Sequence, residues 1–215
     1  MNRLLLAAGL LCMMNACNDQ EAKHAGHAAG DSTSHQGHQA QHEAGGNNEM
    51  KNLMDGMMIK MHQQKNTGNN DIDYANMMLQ HHQAAVDMAN LQQNKGTDTT
   101  LKNFSKGVVN AQQKEIKLMG EFVSKATATA SPDNGQFKKA MDASMETMMS
   151  ASPVIYNNID KDFVAQMIPH HQSAVDMAMA YLQYGKDGQL RKMSEDIISS
   201  QEKEIGWLKS WQPGN

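Results

Sequence analysis

The chain has 215 residues, a formal net charge of −4 and only 5% aromatic residues, but it contains 20 methionines and 10 histidines. Because the basic excess that binding to phosphate backbones requires is absent, the composition excludes a typical nucleic-acid-binding protein. Methionine can fill a core, but leucine and isoleucine specify packing better, so this many methionines indicates a second role for some of them.

The first 16 residues are typical of an export signal. The run from Leu4 to Met13 is almost wholly apolar and too short to span a bilayer, and Ala16 directly precedes Cys17. We therefore predict a lipoprotein-type signal over residues 1–16, with Cys17 lipidated and the protein anchored to a membrane in the cell envelope, facing the periplasm or on the surface. No disulfide is expected, since the only other cysteine lies inside the signal. The alternative is an ordinary cleaved signal or a membrane-tethered N-terminus.

Residues 17–47 form a low-complexity segment rich in Ala, Gly, Gln, Ser and His. Such a segment cannot bury enough apolar surface to fold, so we predict a flexible tether. Its histidine spacing suits loose metal capture by a mobile strand, with a hydrophilic spacer as the alternative. These candidate accessory ligands are His24, His27, His35, His38 and His42.

From about residue 48 onward the sequence repeats itself. The segment MLQHHQAAVDMA at Met78–Ala89 recurs as MIPHHQSAVDMA at Met167–Ala178, and AQQKEIKLM at 111–119 recurs as SQEKEIGWL at 200–208. We predict a duplicated helical metal-binding domain over residues 48–215, with repeats over about 48–130 and 135–212.

Each repeat is predicted to form three helices. The polar or Gly/Pro-containing breaks between them are Asn66–Asp71, Asn94–Asp98, Ser131–Gly135, Ser152–Asn158 and Gly185–Gly188. Asp98 and Asp160 are candidate N-caps. The sequence contains no alternating strand pattern, so the predicted class is all-α: two short methionine-rich helices and four longer ones that pack as an antiparallel bundle.

The central helix of each repeat carries the main candidate metal ligands. Residues three, four or seven apart share a helix face, so Met78 lies beside His81 and His82, with Met88 two turns beyond His81. Thioether sulfur and imidazole nitrogen suit a soft ion such as copper(I), whereas calcium and magnesium prefer carboxylates. The eight candidates are Met78, His81, His82, Met88, Met167, His170, His171 and Met177.

The alternative for these residues is that they only fill the core. A methionine stripe at helical spacing is usually core, and a single core histidine is usually just hydrogen-bonded. Two adjacent imidazoles, flanked by methionine and duplicated intact, cost burial energy that a purely structural helix avoids by using leucine. For the histidine pairs we therefore favour the ligand role.

The last helix of each repeat carries a carboxylate where its apolar stripe should continue. Glu115 and Glu204 occupy these places, with Gln112 and Gln201 one turn earlier. Burying a lone charge is expensive, so we expect each Glu to pair with histidines of the neighbouring helix, either orienting an imidazole or coordinating metal. The alternative is that the stripe drifts and Glu115 lies at the solvent edge.

The short helices carry methionines at spacings of three, four and seven, which put most of them on one face. The candidate accessory ligands here are Met54, Met58, Met61, Met141, Met145 and Met148. The pattern leaves open whether they form an exposed capture surface or part of the core. His62 has no counterpart in the second repeat and is a weak candidate. Asp87 and Asp176 point away from the histidines, which suits salt bridging or capping.

The doubled motif resembles a known family. HHQAAVDMA and HHQSAVDMA, each followed by a Gln-x-x-Glu-Ile run, are similar to domain-of-unknown-function family 305, which includes CopM-type periplasmic copper-binding proteins. The resemblance covers about residues 48–212. It implies a ferritin-like helical bundle, export to the cell envelope, and copper or silver binding by Met and His in resistance or as a metallochaperone. By motif, it extends to the eight candidate ligands of the central helices.

These features predict an envelope protein that binds copper(I), with silver(I) or copper(II) as other ions and no organic cofactor. Its role would be sequestration, resistance or transfer to a copper exporter or another copper protein. One alternative is a ferritin-like redox enzyme with a dinuclear centre, but its Glu-x-x-His signature occurs only at Glu21–His24, in the tail. The other is a structural lipoprotein without metal. We predict a binding protein, not an enzyme.

Overall fold

The structure is a computed structural model that describes residues 48–212, all of which fall in one compact unit. The predicted signal, Cys17 and the five tail histidines lie outside the described residues. Within residues 48–212 the secondary structure is entirely helical, and none of these helices is both long and apolar enough to cross a membrane. The helices are α1 (Glu49–Gln63), α2 (Asn70–Lys95), α3 (Thr99–Lys125), α4 (Asn134–Ser150), α5 (Ile159–Tyr184) and α6 (Gly188–Trp211). The predicted all-α helical bundle is confirmed.

Side-chain caps fix where most of the helices begin. Asn48, Asn69, Asp98, Asn158 and Asp187 each accept a hydrogen bond from a first-turn N–H of the helix that follows. Such a cap satisfies an N–H group that has no partner inside the helix. The prediction for Asp98 is confirmed.

The prediction that Asp160 is an N-cap is wrong, because α5 begins at Ile159 and its N-cap is Asn158. Asp160 instead accepts hydrogen bonds from the loop that follows α2: from the backbone N–H and the hydroxyl of Thr97, the latter at 2.6 Å, and from the backbone N–H of Asp98. Its carboxylate therefore joins the start of α5 to the end of α2.

The long helices α2 and α5 form the centre of the bundle. They pack against each other, α3 packs on α2, α6 packs on α5, and the short helices α1 and α4 lie against the central pair. The loops 96–98 and 185–187 are only three residues long, so each long pair is antiparallel. This arrangement places the repeated histidine motifs in the middle of the bundle.

Contacts at the ends of α2 and α5 show that the central helices are also antiparallel to each other. Asp71, at the start of α2, accepts a hydrogen bond of 2.6 Å from the Tyr181 hydroxyl near the end of α5, just as Asp160 joins the opposite ends. The rings of Tyr74 and Tyr181 stack with their centroids 4.1 Å apart. These contacts fix the register in which the two histidine pairs meet.

A second pair of carboxylates attaches the short helices. Asp162 accepts a hydrogen bond from Asn48, the N-cap of α1, at 2.8 Å, and Asp73 accepts one from Asn134, the first residue of α4, at 3.1 Å. Each short helix is therefore tied to a central helix of the other half of the sequence. Each half of the sequence thus holds the short helix of the other half in place.

The core is unusually rich in methionine. Of the 29 buried residues in the hydrophobic core cluster of the described chain, 13 are methionines. Among the accessory candidates of the short helices, Met58 is half-buried and the others are buried: Met54, Met61, Met141, Met145 and Met148. The methionine faces of α1 and α4 therefore belong to the core, while Met149 is exposed.

Replacing the Asp160 carboxylate should destabilise the protein in a pH-dependent way. Burial raises the pKa of this carboxyl, but hydrogen bonds from Thr97, Asp98 and Gln92 outweigh that effect and lower the pKa below its usual value. The stabilisation is therefore complete above the ordinary aspartate pKa and is lost as pH falls through the folded-state pKa. We expect Asp160→Ala to reduce the free energy of unfolding by roughly 2 kcal/mol near neutral pH, as measured by urea denaturation.

Asp87→Ala is the matched control, because Asp87 accepts only the side-chain amide of Gln83 on its own helix. It should change the free energy of unfolding by less than about 0.5 kcal/mol. The penalty of Asp160→Ala should shrink as pH falls through the folded-state pKa of Asp160, because the carboxylate then becomes protonated. A penalty equal to that of the control, or one independent of pH, would contradict this account.

Candidate metal centre

Four buried imidazoles meet where α2 crosses α5. His81, His82, His170 and His171 have no exposed surface, and the rings of His81 and His170 lie with their centroids 3.8 Å apart. Within each pair the ring centroids are 6.3 Å apart on α2 and 6.0 Å apart on α5. The structure thus brings the histidines of both halves of the sequence into one cluster.

Helix geometry explains why the two histidines of a pair have different surroundings. Consecutive residues on an α-helix point about 100° apart. On α2, His81 therefore faces α5 while His82 faces α3, and on α5 the same rotation sends His170 toward α2 and His171 toward α6. In each pair, one histidine therefore faces the other central helix and the next histidine faces an outer helix.

His82 and His171, the outer histidines of the two pairs, contact the carboxylates that interrupt the apolar stripes of α3 and α6. The Nε2 atom of His82 lies 2.7 Å from Oε2 of Glu115, and Nε2 of His171 lies 2.8 Å from Oε2 of Glu204, the latter without hydrogen-bond alignment. The glutamate side chains are 19% and 25% exposed, so they lie between the imidazoles and solvent.

His81 and His170, the inner histidines, have different hydrogen-bond partners, because HHQAAVDMA and HHQSAVDMA differ at one position. Nε2 of His81 lies 2.7 Å from the Ser173 hydroxyl, which also lies 3.4 Å from the Met148 sulfur. The first motif has Ala84 at the position of Ser173 and offers no hydroxyl, so Nε2 of His170 bonds the backbone carbonyl of His81 at 3.1 Å. Sequence reasoning missed Ser173, although the change from HHQAA to HHQSA was visible.

The partners of these nitrogens define the tautomers. The His81 carbonyl and the Glu115 carboxylate can only accept, so Nε2 of His170 and of His82 donate to them. We assign the Ser173 hydroxyl as donor to the Met148 sulfur, which can only accept, and therefore as acceptor from Nε2 of His81. In the neutral ring, Nδ1 is then the nitrogen that carries the free lone pair.

The Nδ1 atoms of all four histidines are buried and have no hydrogen-bond partner. In the described part of the chain, every buried side-chain nitrogen or oxygen without a partner belongs to these histidines or to Gln112 and Gln201, whose Oε1 atoms are also unpartnered. Most buried polar atoms in proteins are hydrogen-bonded, so a concentration of exceptions indicates a candidate functional site. The exceptions here coincide with the repeated motif.

Burial keeps the inner imidazoles neutral. The pKa of His81 and the pKa of His170 lie well below the usual histidine value, first because burial disfavours the charged ring and second because the other imidazoles repel a positive charge. A neutral Nδ1 can donate its lone pair to a metal near neutral pH without first losing a proton.

Thioether sulfurs are carried by the same two helices as the imidazoles. Met78 and Met88 on α2, and Met167 and Met177 on α5, are fully buried on the helices that carry the histidines. Within residues 48–212, no group of three or more His, Cys, Asp or Glu side chains is arranged to hold a metal ion. A metal held here would need sulfur as well as nitrogen, and this mixed set fits a soft cation.

The remaining candidates lie elsewhere. Asp87 and Asp176 accept hydrogen bonds from Gln83 and Gln172, four residues earlier on their own helices, so the prediction of salt bridges or caps is wrong. In each case the side-chain amide of the glutamine one turn earlier is the hydrogen-bond partner of the carboxylate. His62 is exposed at the end of α1, away from the buried cluster.

Comparison with models of known protein families identifies the family of this chain. The family model described as "Domain of unknown function (DUF305)" matches residues 12–123 and again residues 71–212. The chain belongs to the DUF305 family. The resemblance drawn from the doubled histidine motif is therefore confirmed.

Solved structures of CopM are similar to this DUF305 chain. The silver-bound form obtained by soaking is 33% identical, with 66% of this chain and 93% of CopM covered and a TM-score of 0.50. The apo form is 31% identical, with 66% and 94% covered and a TM-score of 0.50. The Cu(I)-bound form is 33% identical, with 66% and 94% covered and a TM-score of 0.49.

A curated sequence relative matches over a shorter stretch. The uncharacterized protein L153 of Acanthamoeba polyphaga mimivirus is 37% identical over 51 residues, which are 24% of this chain and 34% of that protein. The match thus spans about a third of the length of the viral protein.

The tautomers of the inner histidines can be tested directly in this DUF305 chain. Long-range ¹H–¹⁵N spectra of the metal-free protein at neutral pH should give His81 and His170 as neutral rings protonated at Nε2. Ser173→Ala should shift the His81 nitrogens and leave those of His170 nearly unchanged, because only His81 contacts this hydroxyl.

Ser144→Ala is the matched control, since the Ser144 hydroxyl is buried on α4 and bonds only carbonyls of its own helix. It should leave both inner histidines unchanged. Rings protonated at Nδ1, or equal shifts of His81 in the two variants, would contradict the assignment.

Proposed function

We propose that this protein binds a soft monovalent cation, copper(I) or silver(I), at the imidazole cluster between α2 and α5. The observation that carries the proposal is the set of four buried Nδ1 atoms without partners at the centre of a methionine-rich core. Leaving a buried polar atom unpaired costs about 1–3 kcal/mol, so a purely structural core would not retain four of them. A bound cation accounts for that cost.

The donor set supports a soft ion over a hard one. Imidazole nitrogen and thioether sulfur are the ligands that copper(I) and silver(I) accept, and sulfur has no proton to lose at ordinary pH. Glu115 and Glu204 face Nε2 atoms, which suits carboxylates that orient imidazoles and raise their basicity. The ligands we propose are nitrogens of His81, His82, His170 and His171, with sulfurs of Met78, Met88, Met167 and Met177.

Similarity to CopM supports the same class of ion. CopM, 33% identical to this chain, has been solved in a silver-bound form. The shared bundle and the histidine motifs make soft-cation binding the natural extension to this chain. Copper(I) is our proposed ion in the cell, because it has the same preference for sulfur and nitrogen and is the commoner metal.

We further propose a role in the cell envelope, in sequestration, resistance or transfer of copper. The predicted signal and Cys17 would anchor the protein to a membrane by lipid, and the His-rich segment 17–47 would raise the local concentration of metal. A copper exporter or another copper protein would receive the ion by stepwise ligand exchange.

The two other functional classes fit less well. A dinuclear redox enzyme would need several carboxylates converging with histidines, and the described residues place one glutamate beside each outer histidine instead. A structural role without metal leaves the unpartnered nitrogens unexplained. We therefore propose a binding protein rather than an enzyme.

The experiment is a silver titration of wild type and of His81→Leu/His170→Leu, followed by chemical unfolding. With silver at about 100 times its dissociation constant, the wild type should gain about 2.7 kcal/mol in free energy of unfolding. The double variant should lose most of this gain. Its metal-free form should be no less stable than the wild type, because leucine removes two buried unpartnered nitrogens.

Met193→Leu, a buried substitution on α6, is the control and should keep the stabilisation by silver. Equal stabilisation of all three proteins would show that the imidazole cluster is not the site. A metal-free double variant that is much less stable than the wild type would favour the purely structural role.

A further inference from the structure

A pocket with a volume of about 150 Å³ opens beside the short helices, away from the imidazole cluster. It lies between the end of α1, the first turns of α2 and the first half of α4. Four methionines and a histidine contribute to its wall: Met61, His62, Met77, Met141 and Met145. No other region of the described chain outside the central cluster combines thioethers and an imidazole around an open space.

The thioethers at this pocket are sheltered from bulk solvent. Met61, Met141 and Met145 are only 2%, 1% and 6% exposed, and these core side chains also border the open space of the pocket. Protein interiors normally pack without such gaps, so side chains beside a gap lose dispersion contacts. A soft ion bound in the pocket would restore contacts to these sulfurs.

The backbone holds one ring nitrogen of His62. Its Nδ1 donates to the backbone carbonyl of Met58 at 2.8 Å, because a carbonyl can only accept. In the neutral ring, Nε2 then carries the free lone pair. A backbone carbonyl that fixes the ring in this way is a common feature of histidine ligands in metal sites.

Both carboxylates at the pocket already have partners. Lys138 contacts Asp142 at 2.5 Å, and Asp73 accepts hydrogen bonds from Thr67 and Asn134. A hard cation would have to compete for these carboxylates, whereas a soft cation would use the neutral sulfurs and the imidazole.

The methionine face of α4 connects the pocket to the imidazole cluster. Met141, Met145 and Met148 lie four and three residues apart, which places them along one side of the helix. The Met148 sulfur lies 3.4 Å from the Ser173 hydroxyl, which lies 2.7 Å from Nε2 of His81. Sulfur donors thus extend from the pocket to the edge of the cluster.

We infer that this pocket is a second site for a soft monovalent cation, and that the ion enters here before it moves along α4 to the imidazoles. Met61, Met141, Met145, Met77 and His62 supply the ligands. The site itself depends only on the pocket, while the entry role rests on the function proposed above.

The test is a titration of the full chain with silver(I), followed by spectra of methionine labelled with ¹³C in the methyl group. We expect the methyl signals of Met61, Met77, Met141 and Met145 to shift as silver is added, along with those of Met78 and Met167. Shifts confined to Met78 and Met167 would overturn the pocket site and leave the central site standing. No shift in either group would overturn both proposals.

Variants separate the pocket from general effects of methionine loss. Met61→Leu/Met145→Leu keeps the apolar volume and removes two sulfurs, so silver binding at the pocket should weaken at least roughly tenfold. This loss would appear as unmoved Met77 and Met141 signals. Met119→Leu, a fully buried substitution on α3, is the control and should leave the pocket shifts intact.

Two further measurements address folding and entry. If the double variant loses its helical circular dichroism, the single variant His62→Gln replaces it and should also weaken pocket binding. In the folded variant, the Met78 and Met167 signals should reach their final positions more slowly than in wild type. Loading at the wild-type rate would overturn the entry role.

Discussion

The rest of the structure is arranged around the contact between His81 and His170, buried where the two central helices cross. Their rings lie 3.8 Å apart with no exposure to solvent, and the backbone carbonyl of one histidine holds the ring of the other. Apolar residues at these places would pack at lower cost, because imidazoles must be desolvated and held neutral. In return, the bundle holds four buried imidazole nitrogens that have no hydrogen-bond partner.

The surrounding residues serve to hold this crossing in register. Asp71 and Asp160 tie each end of one central helix to the opposite end of the other, while Asp73 and Asp162 attach the short helices. Because each carboxylate acts on the other half of the chain, both halves are needed to position the imidazoles. Ser173 then makes the halves unequal, since it gives His81 a hydroxyl that His170 lacks.

Local sequence patterns were sufficient to predict the helices and the contact between Glu115 and a histidine. Helical spacing and polar breaks indicated six helices, and the interrupted apolar stripe indicated that Glu115 would meet a histidine of the neighbouring helix. The first feature depends on periodicity within one helix, and the second depends on the need of a buried charge for a partner.

The features that the sequence did not predict depend on how helices are rotated against one another. The contact of Ser173 with His81 and Met148, the loop contacts of Asp160 and the pocket beside α4 all join residues far apart in the chain. Burial of the short-helix methionines was likewise undetermined, because their spacing suits an exposed face and a core face equally.

The most direct measurement is a crystal structure of the silver-loaded protein with the ions located by anomalous scattering. The account predicts an anomalous peak between α2 and α5, bonded to Nδ1 of at least one of the four histidines and to a methionine sulfur. Silver found only at the protein surface, with all four Nδ1 atoms unbound, would contradict it.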